Sequence, residues 1–304
     1  MPSTPIHSPL EDGDRRLVRG MALMFVSGLA GSAANGAIHH IAVDLHPFIV
    51  TFFRNLIGLL VLLPLLLRVG LIGLRPRRPG LQILRGLLQV VSAMLFVTAL
   101  ALTPLAKATA LNFTAPLFAA ILAVIILREA IQIRRIAALS VGFTGMLVVL
   151  QPWEGGFDLG SILMLLSALL WAVGMILIKI MMRTESSLTT TILTAVTSTP
   201  FAFIAALTVW QTPTGEQFIW LIGTGVVYSL AQLAFAQALK EIDLTALLPL
   251  DFLKLIWAAA IGYLFFSEAP GVATWMGGAM IMGAATYIAY RERKAHKAES
   301  KSII

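Results

Sequence analysis

Three charged side chains, Arg54, Asp251 and Lys254, lie deep inside long apolar runs of this 304-residue sequence. Each would cost roughly 2.5–3.5 kcal/mol facing lipid at a bilayer midplane, so each must face protein or water, where such groups mark substrate or proton sites. Asp251 and Lys254 are three residues apart, hence on one helix face. They suit a substrate or proton site, or a buried ion pair that locks two helices together. Pro249, just before them, frees backbone carbonyls and can break the helix there. Arg54, next to Asn55, can hold a carboxylate or another anionic group by two parallel hydrogen bonds. Alternatively it snorkels or caps a neighbouring helix end.

Polar groups recur at helical spacing elsewhere. Gly28, Ser32, Asn35 and His39 follow one another at intervals of four, three and four, which makes a single small-and-polar face. Gly28 and Ser32 suit close helix packing, whereas Asn35 and His39 suit a cavity wall. His39 and His40 fall near a membrane surface, where titration near neutral pH can gate proton entry, or where each simply satisfies a local hydrogen bond. Gln82, Arg85, Gln89, Ser92 and Phe96 line one side of their run, and Tyr228, Gln232 and Phe235 line one side of theirs. Asn112 precedes Pro116, and Trp171 lies in the middle of its run. Polar groups mixed with aromatics suit a modest organic molecule with a ring or an apolar side chain. Asn35, Arg54, Gln89, Asn112, Trp171, Tyr228, Gln232, Asp251 and Lys254 are therefore the expected substrate contacts. His39, Asp251, Glu129 and Glu268 are the expected coupling or gating groups. Glu129 and Glu268 end their runs on opposite sides of the membrane, placed either as gates or as acceptors for nearby helix ends.

The elements that must position these groups are ten apolar runs: 18–41, 47–67, 81–102, 106–127, 136–150, 159–182, 188–210, 218–239, 244–266 and 272–290. At about 20 residues per crossing they use most of the chain, and no soluble domain fits beside them. The hydrophobic set is 58% of the residues and charged residues only 12%, against about 25% charged in soluble domains. That excludes a water-soluble enzyme. The chain has no cysteine, which excludes disulfides and thiolate chemistry. No H-E-x-x-H helix, G-x-S-x-G elbow, Walker loop or metal-ligand spacing occurs, so neither a catalytic set nor a cofactor is expected. An intramembrane enzyme or a non-transporting scaffold remains the alternative class.

The net charge of +7 is an orientation signal and not a nucleic-acid surface. With the N-terminus placed in the cytoplasm, every one of the 22 Lys and Arg lies on that side except Lys107, Arg54 and Lys254. The bias puts both termini in the cytoplasm, as an even number of spans requires. The first run is too long for a signal-peptide core. Residues 1–17 are expected as a disordered tail, 151–158 as an extracytoplasmic linker, and 291–304 as a basic cytoplasmic tail. Gly277, Gly278, Ala279 and Gly283 predict tight packing of the last run, within a monomer or across a homodimer.

A shift of about 140 residues superimposes the two halves. Gly20, Met24 and Ser27 meet Gly160, Met164 and Ser167; Gly86 meets Gly225; Phe96-Val97-Thr98-Ala99-Leu100 meets Phe235-Ala236-Gln237-Ala238-Leu239. Ala106 meets Thr245, Phe113 meets Phe252 and Glu129 meets Glu268. Each unit, 18–150 and 159–290, holds five runs. An odd number makes the second enter the membrane from the opposite side, as in the inverted repeats of secondary transporters, whose substrate site lies between the halves.

With this order of features the chain resembles the EamA family of ten-helix carriers in the drug/metabolite transporter superfamily. The resemblance is carried by Pro47-Phe48 with Arg54, by the paired F-x-x-A-L strings, and by Ala115-Pro116-Leu117-Phe118 with Leu127-Arg128-Glu129. It extends to Trp171-Ala172 with Lys179, and to Phe265-Phe266-Ser267-Glu268. The first half departs from the second in having Gly31 and His39 opposite Trp171 and Lys179, and the second has Thr194 opposite Arg54. The resemblance implies an all-α carrier of the bacterial cytoplasmic membrane working by alternating access, with proton coupling as one option. Its partners would be the lipid bilayer and a small metabolite, such as an amino acid, a related compound, or a vitamin such as riboflavin.

Overall fold

In lipid every backbone N–H and C=O must be satisfied within the protein, which leaves helices as the simplest solution for apolar runs of this length. The computed structural model describes residues 9–69, 76–127, 133–154, 157–181, 187–241 and 253–302; the predicted contacts Glu129 and Asp251, and Pro249 with them, lie outside the described residues. The helices are α1 (Pro9–Ile41), α2 (Pro47–Val69), α3 (Pro79–Leu102), α4 (Leu105–Asn112), α5 (Ala115–Leu127) and α6 (Ile133–Leu150). A short 3-10 turn at Pro152–Glu154 precedes α7 (Leu159–Met181), α8 (Ser187–Leu207), α9 (Gly215–Glu241), α10 (Leu253–Phe266) and α11 (Val272–Ser302). No strand occurs among the described residues. Pro47 and Pro79 open α2 and α3, positions where the missing N–H costs nothing.

Five stretches are long and apolar enough to cross a membrane: Val18–Ile41, Pro79–Leu102, Leu105–Ile126, Leu159–Ile178 and Gly215–Phe235. Five shorter apolar helices, Pro47–Val61, Ile136–Leu150, Ile192–Leu207, Leu253–Phe266 and Val272–Ile288, accompany them. Their outer surface is apolar: Ile219, Leu264 and Phe265 are more than 70% exposed. Trp153, Trp210, Trp220 and Trp275 are also exposed, and all four sit at helix ends away from the termini, as interfacial aromatic anchors do.

Two expectations change. The run 106–127 is not one helix. It breaks between Asn112 and Ala115, because Pro116 has no N–H to give the Asn112 carbonyl and its ring clashes with a continuing turn. Tight turns close the gap, from Phe113 N to Ala110 O at 3.2 Å and from Thr114 N to Leu111 O at 3.0 Å. The expected disordered tail at 1–17 is also too long, since α1 begins at Pro9. Proline suits the first helical position. At the other terminus α11 carries the basic tail as helix to Ser302.

α1 packs on α9 and α10, α3 on α7 and α8, α2 on α8 and α9, α10 on α4, and α6 on α11. Hydroxyls stitch two of these seams: Ser27 Oγ donates to Ala231 O of α9 and Ser167 Oγ to Ser92 O of α3, each at 2.8 Å. Glycines allow two others. A Cβ on Gly225 would sit 2.7 Å from Ile57 Cβ, and one on Gly86 would sit 2.9 Å from Thr197 Cβ.

Gly277 of the last run packs within the chain, against α6. A Cβ on Gly145 of α6 would lie 2.7 Å from Gly277 O and 2.7 Å from Met280 Cβ of α11, whereas one on Gly283 would meet nothing within 4 Å. Gly145→Val should therefore overpack this seam and destabilise the protein by about 1–3 kcal/mol, while Gly283→Ala should leave thermal unfolding in detergent unchanged. Equal melting temperatures for the two variants would show that the seam is not close-packed.

Candidate functional site

One polar cluster closes the end of the bundle away from the termini. α10 ends at Phe266, and Ser267 takes a left-handed φ of 57°, which swings Glu268 back so that its N–H donates to Gly262 O at 2.9 Å. Glu268 Oε2 then accepts from Leu105 N, the first amide of α4, at 2.8 Å. Pro104 gives that helix no side-chain cap, so Glu268 supplies an anion to an otherwise orphaned helix start. The other oxygen, Oε1, lies 3.2 Å from His39 Nε2. The second ring nitrogen, Nδ1, meets Leu100 O of α3, and the Phe266 ring packs edge-on against the imidazole at 4.6 Å. Carboxylate, imidazole, amide and carbonyl thus join α1, α3, α4 and the α10–α11 turn.

A second tie lies at the same end. Asp158 caps α7 by accepting from Ser161 N at 2.7 Å and Ser161 Oγ at 3.0 Å, and pairs with Lys107 Nζ of α4 at 2.7 Å. Burial pushes its carboxyl up, but the bonds from Lys107 and from the Ser161 amide and hydroxyl outweigh this and hold it below its ordinary value.

Deeper in the bundle, several predicted contacts meet along α9. Ser32 Oγ donates to Lys254 O at 3.0 Å, and the Lys254 stem and Trp257 lie beside Gly28 of α1. Lys254 Nζ lies 5.3 Å from the centre of the Phe235 ring, and the Arg54 guanidinium lies 5.2 Å from that of Tyr228. Gln232 Nε2 reaches Tyr228 OH only at 3.5 Å. Asn35 Oδ1 and Trp257 Nε1 are buried without a hydrogen-bond partner among the described residues. Trp257 is not among the predicted contacts, although its spacing of three from Lys254 places it on the same face.

Other predicted contacts separate from this group. Gln89 is half-buried on α3, and Asn112 is half-buried where α4 stops at the helix break. Trp171 lies on α7. The face of that helix is buried at Met164, yet seven and eleven residues further along, at Trp171 and Met175, it is about two-fifths exposed. These positions share one side of a helix, so a face that is packed against the bundle at one end opens at the other. Gln82 and Arg85 are clamps: Gln82 Nε2 donates to Thr194 Oγ1 of α8 at 3.1 Å, and Arg85 Nη1 to Thr190 O at 3.3 Å and to Thr194 Oγ1. Ser92 is likewise taken by Ser167. Among the described residues no three His, Asp or Glu side chains converge on a metal-sized site.

The model of the EamA-like transporter family matches residues 18–151 and again 158–290. A riboflavin transporter of Vibrio cholerae is 33% identical over 297 residues, covering 96% of this chain and 97% of that protein. An S-adenosylmethionine uptake transporter of Rickettsia bellii is 32% identical over 272 residues, covering 89% and 94%. A riboflavin transporter of Rhizobium johnstonii is 31% identical over 285 residues, covering 93% and 94%. A solved crystal structure, 19% identical and covering 91% of this chain and 98% of its own, superimposes with a TM-score of 0.58 and shares the fold.

Two outcomes follow from the closed end. Glu268→Ala leaves the α4 amide without its acceptor and should cost about 1–3 kcal/mol, read as a lower melting temperature and faster amide exchange at Leu105. Glu268→Gln, which keeps an acceptor for that amide, should lose less; equal losses would count against the capping role. For Asp158 the folded value is depressed. Its contribution is complete above the unfolded value of about 3.9 and is lost as pH falls through the folded value. The melting-temperature gap between wild type and Asp158→Asn should therefore be full at neutral pH and close in acid. A gap independent of pH would mean that the charge contributes nothing.

Proposed function

Because the chain belongs to the EamA-like transporter family of the drug/metabolite transporter superfamily, and is a multi-pass protein of the inner membrane, we propose that it is a secondary carrier. It moves a small organic metabolite across the cytoplasmic membrane by alternating access between two inverted five-helix repeats, 18–150 and 159–290, with both termini in the cytoplasm. The observation that carries the repeat is a pair of hydrogen bonds. Ser27→Ala231 and Ser167→Ser92 map onto each other when each residue is shifted by 139 or 140 places. The glycine seams Gly225–Ile57 and Gly86–Thr197 map onto each other by the same shift. Contacts, and not residue types alone, thus recur between the halves.

In this reading the solute sits between α1, α2, α9 and α10. Asn35, Arg54, Tyr228, Gln232 and Lys254 are the contacts that the fold supports best, and Asp251 is the proton-coupling candidate. The His39–Glu268–Leu105 cluster is the outer gate in its closed state, and the opening at Trp171 is the path to the cytoplasm. Names of relatives point to two solutes to try first, riboflavin and S-adenosylmethionine.

Purified full-length protein in liposomes should give saturable uptake of one of these or of a related metabolite. An imposed pH gradient should drive accumulation that an ionophore abolishes and that Asp251→Asn lacks while remaining folded. Absence of saturable flux across a broad, controlled metabolite panel would overturn the carrier reading. Flux indifferent to the gradient would remove only the proton.

A further inference from the structure

The shift that pairs Gly225–Ile57 with Gly86–Thr197 also pairs Arg54 with Thr194 and Thr224 with Arg85. Each of the two interfaces, α2 on α9 and α3 on α8, therefore carries one arginine and one threonine, with the helices that supply them exchanged. Their states differ. In the α3–α8 interface the arginine is satisfied, because Arg85 donates to Thr194 Oγ1 and Thr190 O, and Gln82 adds a further donor to the same hydroxyl. In the α2–α9 interface Thr224 is 3% exposed and its hydroxyl has no hydrogen-bond partner among the described residues. Arg54 is 8% exposed. Among the described residues it has no carboxylate and no hydrogen-bond acceptor, only the Tyr228 ring beside it.

The neighbours of Arg54 make the imbalance worse. Positions 51, 54, 55 and 58 share one side of α2 at 100° per residue. On that side Thr51 Oγ1 and Asn55 Nδ2 are buried without partners among the described residues, and Gly58 leaves room where a Cβ would come only to 3.7 Å from Ser229 Oγ of α9. The inventory is one guanidinium, one amide N–H donor and two hydroxyls. Such a set is short of acceptors and of negative charge, and leaving it so inside a membrane is costly. The Tyr228 ring, 5.2 Å from the guanidinium carbon, is the neighbour of Arg54, and the N–H fork of a guanidinium is the group that takes a carboxylate or phosphate by two parallel bonds.

We propose that the α2–α9 interface is a binding slot for an anionic oxygen group, carboxylate or phosphate, borne by the transported solute, and that Arg54 supplies the charge with Thr224, Thr51 and Asn55 as hydrogen-bonding groups around it. The identity of the anion's owner rests on the carrier reading; the slot does not. Chemically this favours an amino-acid derivative with a free carboxylate, such as S-adenosylmethionine, over neutral riboflavin. The pseudo-equivalent α3–α8 interface has the same composition but is closed by its own arginine, and it serves as an internal control.

The test is a thermal-shift titration of the detergent-purified full chain with acetate and inorganic phosphate, using acetamide as the neutral match and chloride held constant. Wild type should be stabilised by the two anions and not by acetamide. Arg54→Gln should lose the effect, with apparent affinity reduced at least about tenfold. Thr224→Val should weaken it, and Arg85→Gln should lower the melting temperature yet keep the anion shift. A folded Arg54→Gln that responds like wild type, or a wild type that does not respond, overturns the slot. Stabilisation by phosphatidylglycerol vesicles but not by the soluble anions assigns the slot to a lipid headgroup and also overturns the proposal. Proteoliposome competition between S-adenosylmethionine and its decarboxylated form separates the two claims. If the carrier works but takes both forms equally, the anion proposal fails while transport stands. If no transport occurs, the titration still decides the slot.

Discussion

Every backbone N–H and C=O inside this chain must find its partner within the protein, because the surrounding hydrocarbon offers none. That constraint produces the helices, and it also explains their ends. α4 starts inside the bundle after a proline that cannot cap it, so a carboxylate arrives from the α10–α11 turn to do so. The same carboxylate faces His39, whose other nitrogen meets a carbonyl of α3. One unsatisfied amide therefore organises four chain segments at one end of the molecule. Where a proline removes a hydrogen bond in mid-span, as at Pro116, the helix divides and the flanking turns tighten.

The large features were legible in the sequence because apolar runs of membrane length have few alternatives. Turn residues marked most of the boundaries, and the offset of about 140 residues was visible in residue types alone. What was illegible was pairing. Glu268 and Leu105 are far apart in the chain, and no local pattern says that one caps the other. The side of α3 carrying Gln82, Arg85 and Ser92 looked like a cavity wall because polar residues at helical spacing look alike whether they face a solute or another helix. Only the presence of Thr190, Thr194 and Ser167 opposite them distinguishes the two. Trp257 was missed for the opposite reason: a tryptophan in an apolar run reads as packing until its N–H is found without an acceptor. The break at Asn112 was foreseeable from Pro116 in principle, but an otherwise continuous apolar run concealed it.

The two halves share their contacts more closely than their chemistry. Serines bridge to backbone at equivalent places and glycines relieve equivalent crossings, so the frame is repeated. At the α2–α9 and α3–α8 interfaces the arginines have moved to opposite partners, and one is satisfied where the other is not. Equivalent positions in the two halves thus carry different polar environments, so the interior is not symmetric.

The glycine contact between α6 and α11 joins the last helix of one half to the last helix of the other, backbone against backbone. At this crossing no side chain separates the two backbones, since a Cβ on Gly145 would lie 2.7 Å from Gly277 O. Neither helix can turn about its own axis to bring a larger residue into the crossing without driving a side chain into the opposite backbone. The join between the two halves is therefore fixed in register as well as in distance.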